Sequence, residues 1–225
     1  MIDSIIFDMD GTLIDNVKVM TKAWNEIAKE HNMDLQLTEK DVRSVMGMTA
    51  SAIADKFMPE NPKRYEIVSY FCNEECRYIS KEIGKTYIPN KNFLEKLSQK
   101  YDLYIVSNCM EGYIETFLKA YGFEKYFKGF LNGSNGNNKA ENIKLLVKMY
   151  NLKDPVYVGD TIIDYESCKI ANVKYIFASY GFGHVENTPK ITKLEELLNL
   201  EDILWIFQIL LMNSKNLLIK EIYLI

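Results

Sequence analysis

Two aspartates separated by one residue, Asp8 and Asp10, are the first side chains in the sequence that could do chemistry. They end a short apolar run, residues 5–7, which predicts a buried strand, and Gly11 breaks the pattern directly after them. Alternate side chains of a strand share a face, so the two acids would lie on one side. Carboxylates this close repel unless a cation lies between them or one keeps a proton. An ordinary Asp-Gly turn would leave Asp8, which adjoins the apolar run, unexplained.

Apolar runs predict the strands that would carry such groups, and helical periodicity separates most of them. The five predicted strands cover residues 5–7, 103–106, 130–132, 156–159 and 175–178. Residues 16–86 contain only helical patterns, broken by glycine and proline, so they predict an all-helical insertion. The alternation predicts an α/β fold: a doubly wound, mostly parallel, five-stranded Rossmann-like core formed by residues 1–15 and 87–202.

Polar side chains follow three of these strands. In doubly wound sheets, ligands bind at the carboxyl ends of the strands, near the point where strand order reverses. The side chains expected at that edge are four acids, a hydroxyl and an amide, namely Asp8, Asp10, Ser107, Asn108, Asp160 and Asp164. We therefore expect one site there.

Four motifs, taken in order, resemble those of the haloacid dehalogenase superfamily in its phosphatase form. Residues 7–13 resemble the first motif, D-x-D-G-T, and residues 106–108 resemble the second, a strand that ends in Ser or Thr. Lys139 resembles the third motif, and residues 159–164 resemble the fourth, G-D-x-x-x-D. The resemblance covers about residues 1–200 and is closest to the phosphoglycolate-phosphatase-like branch.

The resemblance implies a Mg²⁺-dependent phosphatase that hydrolyses a small phosphorylated metabolite, a phosphate monoester, through an aspartyl-phosphate. It implies that Asp8 is the nucleophile and a metal ligand, that the Asp10 carbonyl and Asp160 complete the metal ligands, and that the Asp10 carboxyl is the acid and base. Asp164 is implied either to bind the metal or, as we favour, to hold Lys139 or a metal-bound water. The cation would neutralise a phosphate dianion that repels an anionic nucleophile.

The resemblance also implies the phosphate-binding groups and the role of the insertion. Phosphate binding is assigned to Gly11, Thr12, Ser107, Asn108 and Lys139, of which Ser107 and Lys139 are also catalytic. Thr12 is expected to help orient Asp10. The insertion, residues 16–86, would be a cap that closes over the site and sets specificity, with Arg43 and Lys56 as candidate anion contacts.

Other activities stay open on the same scaffold. The main alternative is a pyrophosphatase or a β-phosphoglucomutase-like phosphoryl transfer, although Thr12 favours a phosphatase because mutase-like relatives more often carry Val there. A haloacid dehalogenase would lack the second acid, Asp10. A phosphonatase would need a cap lysine for a Schiff base, and Lys18, Lys22 and Lys56 are the candidates. A binding protein without catalysis would lack some of the acids or Lys139, and all are present.

Taken singly, several of these residues have structural explanations. Ser107 and Asn108 could N-cap the following helix, and Asp164 could be an acid that the helix dipole favours in a first turn. Lys139 could be a solvated loop lysine, with Lys144 as the alternative third-motif residue. His184, on a loop near this edge, is expected to be a surface histidine.

Composition limits the class of protein. The 225 residues are 48% hydrophobic and 26% charged with a net charge of −4, which is typical of a globular domain with an insertion. Only three arginines are present, so we do not expect nucleic acid as a partner. We do not expect a membrane as a partner either, and we expect a monomer or a homodimer. No export signal is evident, which predicts a cytoplasmic protein. Cys72 and Cys76 lack a matching ligand pair and are expected to be reduced thiols.

An apolar C-terminal extension, residues 203–225, continues past the resemblance. Residues 203–212 are apolar nearly all round a helix and cannot stay exposed on a soluble monomer. As a helix they would span about 15 Å, half of a bilayer core, so a membrane span is not expected. We expect the extension to pack on its own core, with a dimer contact as the alternative.

Overall fold

The computed structural model describes residues 2–209. The strands are β1 (Ser4–Phe7), β2 (Ile14–Asp15), β3 (Lys85–Thr86), β4 (Asp102–Val106), β5 (Phe127–Leu131), β6 (Pro155–Gly159), β7 (Lys174–Ala178) and β8 (Lys190–Ile191). Six of them form one sheet in the order β5-β4-β1-β6-β7-β8, and each neighbouring pair in it is parallel. The predicted doubly wound, parallel sheet is confirmed.

Two details of the sheet differ from the prediction of five strands. The sixth strand, β8, has only two residues, follows Pro189 and pairs with Phe177 and Ala178 at the sheet edge. A strand this short has no apolar run by which it could be recognised. The predicted third strand starts earlier than expected, at Phe127, because Lys128 and Gly129 interrupt its apolar pattern.

Helices cover both faces of the sheet. They are α1 (Val17–Glu30), α2 (Glu39–Arg43), α3 (Ala50–Phe57), α4 (Arg64–Ile79), α5 (Lys91–Ser98), α6 (Tyr113–Tyr121), α7 (Lys139–Met149) and α8 (Ile162–Ala171). Ile5 and Phe7 of β1 belong to the apolar cluster that includes α5 and α6, whereas Ile6 belongs to the cluster on α7 and α8. This alternation is what a strand buried on both faces requires.

The predicted helical insertion, residues 16–86, contains α1 to α4, and we call this insertion the cap. Trp24 of α1 is buried and makes edge-to-face contacts with Phe57 of α3 and Phe71 of α4, with ring centroids 6.4 and 6.3 Å apart. The antiparallel pair β2–β3 connects the cap to the core, with Ile14 opposite Thr86. The Asn16 side chain accepts a hydrogen bond from the Gly84 N–H at 2.7 Å and reinforces this link.

The C-terminal part of the chain runs through a 3₁₀ turn, Leu194–Asn199, into a helix over residues 200–209. Ile203 and Leu204 pack against the core, whereas Trp205 and Ile206 are 64% and 52% exposed. The remainder of the predicted extension, residues 210–225, lies outside the described residues. Among the helices that the structure describes, none has the length and apolar character needed to span a membrane.

Candidate active site

The candidate site lies where the chain reverses its winding direction. β1 lies between β4 and β6, and the chain adds β4 and β5 on one side of it before β6 and β7 on the other. Asp8, Ser107 and Asp160 each follow directly after one of the three central strands. The structure therefore brings these predicted residues to one edge of the sheet, as parallel strands at a switch point should.

Asp8 is held by a buried lysine. Its N–H donates to the Val158 carbonyl at 2.9 Å, which continues the β1–β6 ladder by one residue. Lys139 Nζ lies 2.7 Å from Asp8 Oδ1 and 2.6 Å from Asp164 Oδ1, and all three side chains are at most 1% exposed. Lys139 is thus not a solvated loop lysine, and Lys144, the alternative residue, is exposed.

Two helix N-termini set the positions of Lys139 and Asp164. Lys139 is the first residue of α7. Asn138 and Glu141 cap the N-terminus of this helix with a reciprocal capping box. Asp164 forms the same motif on α8, since its Oδ2 accepts the N–H of Thr161 at 2.9 Å and the Thr161 hydroxyl at 2.7 Å. Asp164 is therefore both a first-turn helix acid and a partner of Lys139, and both its oxygens are engaged.

Asp160 is enclosed by two loops. Its Oδ2 accepts the Phe182 N–H at 2.7 Å, and its Oδ1 accepts the Thr12 hydroxyl at 3.2 Å. Thr12 thus contacts Asp160 and not Asp10, contrary to the expected orienting role. Gly11 has a φ of 87°, and a Cβ at this position would overlap the Asp160 carboxylate. The turn after β1 therefore needs glycine both for its backbone angle and for its closeness to Asp160.

Asp10 is contacted by a tyrosine from the core. The Tyr113 hydroxyl, at the start of α6, donates to Asp10 Oδ1 at 2.6 Å and accepts the Asn16 side-chain amide at 2.8 Å. Burial raises the pKa of Asp10 to about 7, and the hydrogen bond from Tyr113 opposes that rise. Asp10 can therefore exchange a proton near neutral pH.

Ser107 and Asn108 line the same edge and do not cap a helix. The next helix, α6, begins at Tyr113 with Gly112 at its N-cap. Asn108 Nδ2 donates to the Gly47 carbonyl of the cap at 2.8 Å, while its buried Oδ1 has no hydrogen-bonding partner among the described residues. Asn108 therefore links the core to the cap.

The carboxylates form a cluster that fits a cation. Asp8, Asp160 and Asp164 each offer an oxygen within 4.8 Å of the others. Burial and then the Asp164 carboxylate raise the pKa of Asp8 to about 6 against the opposing effect of Lys139, and burial and then Asp164 raise the pKa of Asp160 to about 8. Although burial acts in the other direction, these acids raise the pKa of Lys139. One lysine does not balance three acids, and Asp8 Oδ2 is a buried oxygen without a hydrogen bond among residues 2–209.

The cap closes a cavity of about 40 Å³ over these acids. The core contributes Asp8, Asp10, Ser107, Asn108, Cys109 and Met110 to it, and the cap contributes Met20, Trp24, Val45, Met46, Gly47, Met48, Ala50, Ile53, Cys72 and Glu75. Arg43 is not among them, since it lies over the Phe182 ring at 4.8 Å, and Lys56 donates to the Ser44 carbonyl at 2.7 Å. Lys18 and Lys22 do not line the cavity either. His184 is an exposed residue, as expected.

Two residues of the site were not found from the sequence. Tyr113 and Glu75 lie within amphipathic helices, where a tyrosine or a glutamate is ordinary. No strand end or turn marks them, and they reach the site through the packing of α6 and α4. Glu75 is 3% exposed, and burial raises its pKa to about 8.

Comparisons with known proteins give a family match and several relatives. The model of the family described as haloacid dehalogenase-like hydrolase matches residues 5–178. A protein named pyrophosphatase PpaX, from Listeria welshimeri serovar 6b, is 26% identical over 179 residues, which cover 76% of this chain and 80% of that protein. A phosphoglycolate phosphatase from Aquifex aeolicus is 27% identical over 186 residues, which cover 79% of this chain and 85% of that one.

Solved structures show the same fold. The crystal structure of a predicted phosphoglycolate phosphatase from Haemophilus somnus matches with a TM-score of 0.74 at 22% identity, over 89% of this chain and 98% of that one. CbbY from Rhodobacter sphaeroides, in complex with xylulose-(1,5)bisphosphate, matches with a TM-score of 0.75 at 13% identity, over 88% and 96% of the two chains.

Proposed function

The chain belongs to the haloacid dehalogenase-like hydrolase family as an enzyme of phosphatase type, and from that premise we propose that it hydrolyses a small phosphate monoester with Mg²⁺ through an aspartyl-phosphate on Asp8. The observation that carries the proposal is the state of the Asp8 carboxylate. Lys139 fixes its Oδ1, while its Oδ2 is buried and has no partner among the described residues. A carboxylate held at one oxygen and left open at the other is oriented for reaction.

The donor set fits a hard divalent cation. The Asp8 and Asp160 carboxylates and the Asp10 main-chain carbonyl are the proposed ligands, and oxygen donors are those that Mg²⁺ prefers. Asp164 is proposed to act behind them, since its two oxygens are already bound to Lys139 and Thr161. When bound, the cation would supply positive charge that neutralises the phosphate dianion.

In the first step, the Asp8 carboxylate attacks phosphorus and the bond from phosphorus to the leaving oxygen breaks. Asp10, protonated at the start, gives its proton to that oxygen, so the leaving group departs as an alcohol. Its buried position and its raised pKa support this role. Tyr113 and Asn16 hold the Asp10 carboxyl in place.

In the second step, water attacks the phosphorus of the aspartyl-phosphate, and Asp10, now ionised, takes a proton from that water. The bond between phosphorus and Asp8 breaks, inorganic phosphate is released, and the Asp8 carboxylate is restored. Lys139 and Ser107 are proposed to stabilise the phosphoryl oxygens, with Gly11, Thr12 and Asn108 as the remaining phosphate-binding residues. Thr12 acts in this proposal by holding Asp160.

The alternative is a pyrophosphatase or a phosphoryl transfer on the same scaffold. The similarity to pyrophosphatase PpaX, at 26% identity, supports the first of these and is close to the 27% identity with the Aquifex aeolicus phosphoglycolate phosphatase. The cap cavity supports the phosphate monoester, because no lysine or arginine of the described cap lines it.

Hydrolysis of a generic aryl phosphate tests the proposal. We expect activity only with added Mg²⁺, and we expect Asp8→Asn to lower turnover by about 10³-fold or more because the nucleophile is lost. Asp102→Asn is the matched control, since Asp102 is an exposed aspartate at the opposite end of a central strand. Full turnover in excess chelator would contradict the metal, and full turnover by Asp8→Asn would contradict the nucleophile.

A further inference from the structure

The cap contributes one acidic side chain to the cavity above the proposed catalytic acids, and the mechanism does not use it. Glu75 of α4 is 3% exposed and lines the cavity together with Asp8 and Asp10. Its Oε2 accepts the Trp24 indole N–H at 2.8 Å. Among residues 2–209, this indole is its only hydrogen-bonding partner, and no cation pairs with it.

A buried carboxyl with a single hydrogen bond can form further hydrogen bonds. The second oxygen of Glu75 accepts no hydrogen bond from the described residues, so it can bond a group that enters the cavity. The core residues bind the phosphoryl group in the proposed function, so the rest of the substrate faces the cap. The leaving group is therefore the part of the substrate that reaches Glu75.

The charge of the cavity limits what that leaving group can be. The cap lining around Glu75 is apolar, with Met20, Ile53 and Cys72 among its residues. No lysine or arginine of the described cap lines the cavity. A carboxylate or a second phosphate on the leaving group would lose its water there and meet acids without a compensating cation, which disfavours it.

The protonation state of Glu75 further limits which chemical groups the leaving group can carry. Burial raises its pKa to about 8, and the nearby Asp10 acts in the same direction. A neutral carboxyl both donates and accepts a hydrogen bond. Its complement is a hydroxyl, which also does both, whereas an ammonium group would need the carboxylate.

On the basis of the phosphatase function proposed above, we propose that Glu75, held by Trp24, is a specificity-determining residue that hydrogen-bonds an uncharged hydroxyl of the leaving group. The substrates would then be phosphate monoesters of diols or polyols. Esters whose leaving group carries a carboxylate, a second phosphate or an amine would be poor substrates.

A matched series of esters tests this with the full-length protein and Mg²⁺. The series contains hydroxyalkyl phosphates of increasing chain length, the alkyl phosphates without the hydroxyl, the aminoalkyl and carboxyalkyl phosphates, and pyrophosphate. We expect kcat/KM for the best hydroxyalkyl ester to exceed that of its alkyl, amino and carboxy counterparts and of pyrophosphate by about tenfold or more, the size of one hydrogen bond in a buried site.

Three variants locate the effect. Glu75→Ala should abolish the preference for the hydroxyalkyl over the alkyl ester, Glu75→Gln should keep part of it, and Trp24→Phe should reduce it by freeing the carboxyl. Glu66→Ala, at an exposed glutamate of the same helix, should leave it unchanged. A general loss of stability would lower activity on both esters and would not change their ratio.

The outcomes separate the two proposals. Metal-dependent hydrolysis of an aryl phosphate with no preference for hydroxyalkyl esters in the wild-type protein would overturn the role of Glu75 alone. A preference for the amino, carboxy or pyrophosphate substrates would overturn it too, as would an unchanged ratio in a folded Glu75→Ala. Absence of metal-dependent hydrolysis of every ester, the aryl phosphate included, would overturn the phosphatase function and this inference with it.

Discussion

Asp10 differs from Asp8 because a tyrosine hydroxyl, and not Lys139, contacts it. Its pKa, raised by burial to about 7, suits a group that must give and then take a proton. We expect Asp10→Asn to slow hydrolysis of alkyl esters by about 10²–10⁴-fold, the usual contribution of a general acid. In esters with good leaving groups, the leaving oxygen needs less protonation. Asp10→Asn should therefore slow the formation of the aspartyl-phosphate far less with these esters. Pre-steady-state phosphorylation across a series of leaving groups measures this.

Tyr113→Phe is the companion variant, since it removes the hydroxyl that holds Asp10 and leaves the carboxyl in place. It should slow hydrolysis less than Asp10→Asn does. It should slow hydrolysis little further when Asp10→Asn is already present, because the effects of residues that act as a unit are not additive. Tyr121→Phe on the same helix is the control, because its hydroxyl bonds the Gly84 carbonyl. Equal losses for good and poor leaving groups in Asp10→Asn would count against the proton-donor role.

Glu75 should also make the stability of the protein depend on pH. Its pKa is raised from 4.5 to about 8 in the folded protein, so between these values the unfolded chain releases the proton that the folded protein keeps. Stability therefore falls as pH rises through this window. The glutamine of Glu75→Gln does not titrate. The free energy of unfolding of this variant minus that of the wild type should therefore rise from pH 5 to pH 8, by on the order of 3 kcal/mol.

Denaturant unfolding in excess chelator at several pH values measures this difference, because the acids remote from Glu75 titrate equally in both proteins. Glu66→Gln, at an exposed glutamate of the same helix, is the matched control. A constant difference between Glu75→Gln and wild type across the window would show that Glu75 ionises normally in the folded protein.

At the scale of residues, the sequence identifies groups that are tied to strand ends and misses those that depend on packing. Asp8, Ser107 and Asp160 were placed correctly at the sheet edge because the backbone of a parallel strand alone determines where they lie. Tyr113 and Glu75 occupy ordinary helix positions. The contact of Thr12 with Asp160 instead of Asp10 depends on the left-handed turn at Gly11, which spacing along a strand does not describe.

Among the elements, we expect the cap to move during turnover. The cavity between cap and core, about 40 Å³, has room for about three water molecules, which is less than a phosphate ester needs. The cap is joined to the core by the short β2–β3 pair, and the hydrogen bond from Asn108 to the Gly47 carbonyl holds it closed. We expect the free protein in solution to populate an open cap, and a metallofluoride mimic of phosphate to close it. Small-angle scattering should show a smaller radius of gyration with the mimic.

The control for cap closure is Mg²⁺ without the mimic, which should leave the scattering unchanged. Asn108→Ala removes one link between core and cap, so it should enlarge the open fraction of the free protein, where phosphate binding plays no part. Identical scattering profiles with and without the mimic would indicate that substrate enters by another route.

The cap also shows how far element prediction extends. Its helical content could be predicted because helices have a period that a single sequence displays. Its links to the core were expected near residues 14–16 and 86–90, and the structure has the β2–β3 pair at residues 14–15 and 85–86. Two-residue strands such as β3 and β8 have no period. They form because a neighbouring strand offers unpaired backbone groups, as β7 does for β8.

For the whole molecule, the question is whether the helix over residues 200–209 packs only on its own core, as in a monomer, or forms a contact between two subunits. Its first turn is anchored, since Glu201 accepts the Ile2 N–H at 3.2 Å and Leu204 packs on the core. Trp205 and Ile206 are more than half exposed. We expect a monomer in which this helix stabilises its own core. Leu204→Ala should then lower the free energy of unfolding by about 1–2 kcal/mol, less than for a fully buried leucine.

Deletion of residues 203–225 tests the same expectation more severely, and Trp205→Ser is its matched control. If the helix serves its own core, the deletion should lower the melting temperature or the solubility, because it uncovers apolar surface beneath Ile203 and Leu204. Trp205→Ser should change the melting temperature little, and size-exclusion chromatography of the full-length protein should give a monomer at all concentrations. A full-length dimer, with Trp205→Ser or the deletion giving a soluble, active monomer, would instead make this helix a subunit interface.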